Sequence, residues 1–116
     1  MKIRRRKTAK LGIKQAPQIR CAAHLQWVRG HECAASNNEC LGRIEAAHVR
    51  SETDGGLGLK PSDIFVIPLC NYHHREQHNK GEKQFEMRHG FDMKSIAKRF
   101  ADVSPHRFKW EKEEAA

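Results

Sequence analysis

Between Pro68 and His78 the chain reads Pro-Leu-Cys-Asn-Tyr-His-His-Arg-Glu-Gln-His, so one cysteine and three histidines fall within nine residues. Cys70 and His73 have the two-residue separation of half a zinc site. His74 and His78 are four apart and share one face of a helix. His73 points away from His74 by about 100°, the rotation per helical residue. One short helix can therefore serve two metal sites. Cys70 and His73 would close a structural zinc at its start, and His74 and His78 would present imidazoles elsewhere. A histidine-rich surface helix is the bland alternative, and it does not account for two interleaved ligand spacings.

The rest of the chain makes a metal useful. With 116 residues, five Phe, two Trp and one Tyr, the core is small enough to need a staple. Four cysteines could form two disulfides, but no apolar N-terminal segment indicates an oxidising compartment. Metal binding is the better expectation for them. No run approaches a membrane span in length.

Charge is concentrated at one end. Residues 1–20 hold eight of the 22 basic residues and no acid, so the whole formal net charge of +8 lies there. Residues 1–17, with Arg4, Arg5, Arg6 and Lys7, read as a basic flexible arm suited to a polyanion, usually nucleic acid. A solubilising tail is the alternative.

Residues 18–116 read as the folded part. A helix is expected from Gln18 to about Arg29, on the repeat Cys21, Leu25, Val28, with Gly30 ending it. Cys21 and His24 have ligand spacing, but Cys21 sits on the apolar stripe, which favours core packing. Residues 31–42 form a polar loop carrying Cys33 and Cys40. Ser36 stands where a Cys-x-x-Cys pair would have its second cysteine, so Cys40 is the nearest replacement and His31 a weaker one. Residues 43–49 read as a strand ending at His48. A glycine-rich loop follows through Pro61, then a second strand from Asp63 to Ile67 that Pro68 ends. Beyond the metal helix, Glu82–His89 reads as a helix stopped by Gly90. Asp92 can cap another through about Phe100 on the repeat Met93, Ile96, Ala97, Phe100. His89 reads as capping or exposed, and the Glu-rich tail shows no motif.

The combination of Glu45-Ala46-Ala47-His48-Val49, the loop from Gly55 to Asp63, and Pro68-Leu69-Cys70 with His73, His74 and His78 resembles the HNH endonucleases of the ββα-metal class. The Gly-Leu-Lys-Pro-Ser-Asp version of the loop is similar to phage and prophage nucleases, including the RecA-dependent nuclease type. The resemblance covers residues 33–90. It implies an α+β, treble-clef-like ββα-metal domain with flanking helices and a structural zinc held by Cys33, Cys40, Cys70 and His73. It implies that His48 activates water and that His74 and His78 bind a catalytic divalent metal: Mg2+, Mn2+ or Zn2+. Two positions depart from the family pattern. Ala47 replaces a residue that is often a metal ligand, and Phe65 falls at the usual Asn position. Asp63 is the nearest polar substitute, able either to orient His48 or to bind metal.

The implied activity is metal-dependent hydrolysis of DNA phosphodiester bonds, with DNA and a recombinase filament as partners and no membrane. The implied location is the cytoplasm of a bacterial host, near the nucleoid. Arg50 and Lys60 join the arm as expected DNA contacts. The chemistry is coherent without the family: a neutral imidazole suits deprotonation of water, and a divalent ion stabilises charge on phosphate. The rival is a non-catalytic zinc-binding module that binds nucleic acid. That reading uses four ligands and leaves His48, His74 and His78 without a role.

Overall fold

The computed structural model describes residues 18–51, 53, 54 and 60–115. The expected DNA contacts Arg4, Arg5, Arg6 and Lys7, and the glycine-rich residues 55–59, lie outside the described residues. The elements are α1 (Ala22–Arg29), β1 (Ile44–His48), β2 (Val66–Cys70), α2 (Asn71–Lys80), α3 (Glu82–His89), α4 (Met93–Val103) and α5 (Phe108–Ala115). The architecture is α+β, a two-stranded sheet with helices around it. Among the described residues, no helix is long and apolar enough to cross a membrane.

The strands pair antiparallel, with Ile44 opposite Cys70 and His48 opposite Val66. Ala47, Val49, Ile67 and Leu69 bury one face of this hairpin against Phe85 of α3 and Met93 and Ala97 of α4. Because strand side chains alternate, Ala46 and His48 fall on the opposite side of β1 from Ala47. The loop before β1 packs along the free edge of β2, where the Ala34 N–H donates to the Pro68 carbonyl at 2.7 Å. That contact brings Cys33 and Cys40 beside the start of α2.

The second strand starts three residues later than the sequence suggests, and Pro68 lies inside it instead of ending it. The Val49 N–H donates to the Phe65 carbonyl at 2.8 Å. Hydrogen-bonded and non-hydrogen-bonded pairs alternate along an antiparallel ladder. The Ala46–Pro68 pair therefore falls in the non-hydrogen-bonded class, where the proline lacks no donor toward β1. Asp63 and Ile64 form a turn ahead of the strand.

Helix α1 also starts late, at Ala22, with Cys21 as an extended N-cap residue. Residues 18–21 are drawn instead onto the segment around residue 60. Cys21 and His24 are both buried. His24 Nδ1 lies 2.9 Å from Ser104 Oγ, and its ring sits between Trp27 and Trp110. Burial, with His106 nearby, pushes its pKa down to about 4. This is core packing. The weaker ligand candidate, His31, bonds the Trp27 carbonyl through Nδ1 at 2.9 Å and packs on Trp27 and Phe100.

Helix α3 has the bounds the sequence suggests, and Gly90 ends it in the left-handed region. Helix α4 runs past Phe100 to Val103. Asp92 precedes it but its carboxylate takes the Ser95 hydroxyl, while Glu86 accepts the Met93 N–H at 2.7 Å. Helix α5 has no counterpart in the sequence reading. It is anchored by buried Trp110, which no helical repeat around it signals.

Gly42 yields a prediction. Its φ is +85°, and a Cβ there would come within 2.6 Å of Asn71 Cβ at the start of α2. Gly90, at φ +71°, has open space around it. Gly42→Ala should therefore destabilise by roughly 1–3 kcal/mol, more than Gly90→Ala, which meets backbone strain alone. Thermal melts of the two variants check the order. Equal midpoints would remove the close approach at Asn71.

Candidate functional site

Two centres meet on α2. At its start, Cys70 serves as N-cap, its sulfur accepting the His73 N–H at 3.5 Å. The turn containing Cys33 and Cys40 closes through Ser36 N–H to the Cys33 carbonyl and Cys40 N–H to the Asn37 carbonyl. The ligand atoms of Cys33, Cys40, Cys70 and His73 all lie within 4.8 Å of one another. Around His73 Nδ1 the sulfurs of Cys33, Cys40 and Cys70 stand at 3.6, 3.6 and 3.2 Å. A tetrahedral zinc with ordinary Zn–S and Zn–N bonds would set each sulfur about 3.6 Å from the nitrogen. The donors thus fit a zinc-sized ion in both chemistry and spacing. All four cysteines of the chain are free thiols, so the disulfide alternative has no support.

The environment already favours thiolate at one corner. Burial raises the Cys70 pKa, but the backbone N–H groups of His73 and Leu41 outweigh it and bring the thiol down to about 7. Cys33 has burial as its dominant influence and is pushed up to about 12.

The cluster continues outward through His73. Its ring is fully buried, and Nε2 has no hydrogen-bond partner. The donors of His73, Glu76 and His89 form a second group within 4.8 Å, giving a combined Cys3His and His2Glu candidate metal-binding cluster. Both Glu76 oxygens are engaged, one with His89 Nε2 at 3.0 Å and the other with Arg88 at 2.5 Å. A guanidinium at that distance opposes a second cation. The outer nitrogen of His73 bonds neither Glu76 nor Glu39, whose Oε1 lies 3.8 Å from it. His89, which the sequence suggests is capping or exposed, has a side chain only 8% exposed.

One turn further along α2 the helix borders a cleft of about 560 Å3, lined by His48, His74, His78 and Gln77, with Arg50, Lys60 and Lys83 also on its walls. The rings of His74 and His78 lie 4.9 Å apart. His74 Nδ1 is 2.6 Å from Glu45 Oε1, which directs its Nε2 away from the strand. The His74 contact, then the Asn71 amide, hold the Glu45 carboxyl below its ordinary range. Ala47, by contrast, is fully buried in the core and faces away from the cleft.

His48 Nε2 lies 3.0 Å from Asp63 Oδ1. With the proton on Nε2 directed at the carboxylate, Nδ1 carries the lone pair. Burial lowers the His48 pKa, and Asp63 only partly opposes it. Asp63 stays ionised: burial would raise its pKa, but His48, the Cys21 N–H and Arg20 together pull it down. The backbone at His48 is also held, since Gln77 Nε2 donates to the His48 carbonyl at 3.1 Å. Glu82 accepts the next two usable N–H groups, those of Arg50 and Ser51, at 2.7 and 2.8 Å.

The structure therefore gathers Cys33, Cys40, Cys70 and His73 at one centre and His48, His74 and His78 around one cleft. Asp63 joins the second group through His48, and Arg50 and Lys60 line its walls. Glu45, Gln77, Glu82 and Arg20 were not expected at the site. A carboxylate three residues before His48 on the same strand was the available signal for Glu45. Nothing local marks the other three.

The family model described as "Protein of unknown function (DUF968)" matches residues 12–106. The chain is also 35% identical over 81 residues to "Uncharacterized protein YdfU" of Escherichia coli (strain K12), a match covering 68% of this chain. The matched part spans only 21% of that relative's length. No solved structure matches at a significant level.

Proposed function

This chain belongs to the DUF968 family, and we propose that it is a metal-dependent endonuclease that hydrolyses DNA phosphodiester bonds, built as an HNH-type ββα-metal domain of phage or prophage origin. The observation that carries this reading is the shared cleft: a carboxylate-held imidazole, His48 on Asp63, faces the same space as two imidazoles on one helix face, His74 and His78. A zinc-binding module has no use for that arrangement.

In this reading His48 accepts a proton from water at Nδ1 while Asp63 fixes the ring and stabilises the imidazolium that results. Asp63 thus takes the orienting role that an Asn plays in HNH nucleases, and it has no place in the metal sphere. Glu45 fixes the His74 tautomer so that Nε2 is its ligand atom. A divalent ion held by His74 and His78 would supply Lewis-acid stabilisation to the phosphate and leave positions open for it. Arg50, Lys60 and Lys83 contribute positive charge along the cleft, and the arm with Arg4, Arg5, Arg6 and Lys7 adds phosphate contacts that carry no sequence information. The Cys33, Cys40, Cys70 and His73 centre holds zinc for structure. A recombinase filament is a fitting partner, because it would present DNA to a chain this small.

The test is cleavage of supercoiled plasmid and of single-stranded DNA, compared with Mg2+, Mn2+ and EDTA. Metal-dependent nicking is the expected result. DNA binding with no cleavage under any metal would leave the zinc-binding module standing.

The pH profile follows from the lowered His48 pKa. Only neutral His48 accepts a proton, so the rate should rise with pH and level off, with its midpoint below that of an ordinary imidazole. A rate still climbing in proportion to hydroxide above pH 8 would point to a base other than His48.

A further inference from the structure

Arg20 is the last of the eight basic residues at the N-terminal end, but its surroundings are not those of an arm reaching for phosphate. Its Nη1 donates to the Pro61 carbonyl at 2.6 Å and lies 3.3 Å from Asp63 Oδ1. Its Nη2 donates to the Lys60 carbonyl at 3.0 Å and lies 3.3 Å from Gln18 Oε1. The neighbouring backbone continues the same attachment. The Ile19 N–H donates to Ser62 Oγ, the Asp63 N–H to the Ile19 carbonyl, and the Cys21 N–H to Asp63 Oδ2, each at 2.8 Å. The oxygen of Asp63 that meets Arg20 is the one that meets His48 Nε2.

We propose that Arg20 is a positioning residue for His48: its guanidinium clamps residues 60–63 and shares the Asp63 oxygen that holds the imidazole. The kinetic consequence rests on the nuclease reading, whereas the effect on the His48 ring does not. A planar guanidinium spreads its donors over a rigid fork, here Nη1 and Nη2, whereas the three donors of an ammonium radiate from one nitrogen. Clamping Pro61 and Lys60 fixes the backbone from which Asp63 projects, and an imidazole held by that carboxylate keeps one orientation in the cleft. The charge matters too. Arg20 and Lys60 are cations near His48, and Asp63 is the anion in contact with it. Removing Arg20 strengthens the pull of Asp63 on the ring proton.

The test uses the full chain as wild type, Arg20→Met and Arg20→Lys. The His48 ring is titrated by NMR, with His48→Ala giving the assignment. Single-turnover cleavage and the salt dependence of DNA affinity are measured alongside. Arg20→Met should raise the His48 midpoint by on the order of half a pH unit, a modest shift because the guanidinium is partly solvated. It should slow cleavage at saturating DNA by about tenfold and leave the salt slope unchanged. Arg20→Lys should restore the midpoint with the charge but not the rate, because the fork is lost. An unmoved midpoint and a normal rate, with the salt slope lower by about one, would make Arg20 a phosphate contact and overturn the proposal. If Arg20→Met does not fold, Arg20→Lys decides alone: slow cleavage with a normal midpoint supports the clamp, and wild-type cleavage removes it. A midpoint that moves in a protein that never cleaves DNA leaves the clamp standing and ends the nuclease reading.

Discussion

His48→Ala is expected to lower the cleavage rate by roughly 10²–10⁴-fold, the usual worth of a positioned general base, while zinc content, folding and DNA affinity should stay near wild type. The selectivity of the loss follows from the site. The side chain of His48 is 17% exposed and touches Asp63, so truncation removes a ring that meets solvent on one side and opens no sealed core cavity. Its backbone carbonyl still receives Gln77 Nε2, so β1 and α2 remain tied. The low-pH limb of the rate profile should disappear with the ring, because no titrating acceptor is left in its place. His74→Ala should also suppress cleavage, but by weakening the cation. Raising metal concentration should then recover part of the rate, a rescue that cannot occur at His48. Cleavage by His48→Ala within a few fold of wild type would falsify the assignment and return the case to a binding module.

Cys70→Ser has the largest expected effect on stability. Cys70 is 1% exposed, caps α2, and stands 3.2 Å from His73 Nδ1. Serine would put a poor zinc ligand in the centre of a cluster in which Cys33 and His73 are also buried and Cys40 is half-buried. Structural zinc contributes about 10–16 kcal/mol of apparent binding free energy in small zinc domains. Even a minor part of that is large beside the total stability of a chain this size. The thermal midpoint should fall by on the order of 10–20 °C, taking about 4–8 °C per kcal/mol, or the protein should be recovered unfolded. Wild-type protein should carry one tightly held zinc per chain by elemental analysis. Zinc-free, folded wild-type protein with a disulfide between any two of the four cysteines would sink the assignment. His78→Ala is the contrast: its ring is exposed on the cleft side of α2, and the melt should be almost unchanged.

The spacing along 70–78 was legible because a helix turns ligand spacing directly into geometry. Cys40, separated from Cys33 by six residues, could be matched to the site only because small and amide residues between them permit a tight return. Asp63 was legible as the nearest polar group but not in its role, since that depends on its distance from His48 across a loop. Ala47 illustrates the opposite case. It stands where the HNH nucleases that the motif resembles often have a ligand, yet strand alternation sends it into the core, and only the pairing with Ile67 reveals this. The end of β2 was misplaced because proline reads as a stop until the hydrogen-bonding class of its pair is known. Arg20, Gln77 and Glu82 left no local trace. Arg20 meets residues about forty positions away, and Gln77 meets a backbone carbonyl twenty-nine away, at His48. Helix α5 went unseen because Trp110, the buried anchor among its described side chains, sits in a segment whose composition otherwise suits solvent.

The position of Pro68 also governs which hairpins the chain can form at all. A slip of one residue that turns β2 over would move the ring from a non-hydrogen-bonded pair into a slot that demands an amide proton it does not have, and would exchange the core and solvent faces of that strand. Pro68 thus acts as a ratchet tooth midway between two distant fittings. His48 pairs with Val66 at one end of the ladder and Cys70 with Ile44 at the other. Any change in register would misplace His48 and Cys70 together, so the cleft and the cysteine cluster depend on the same strand pairing.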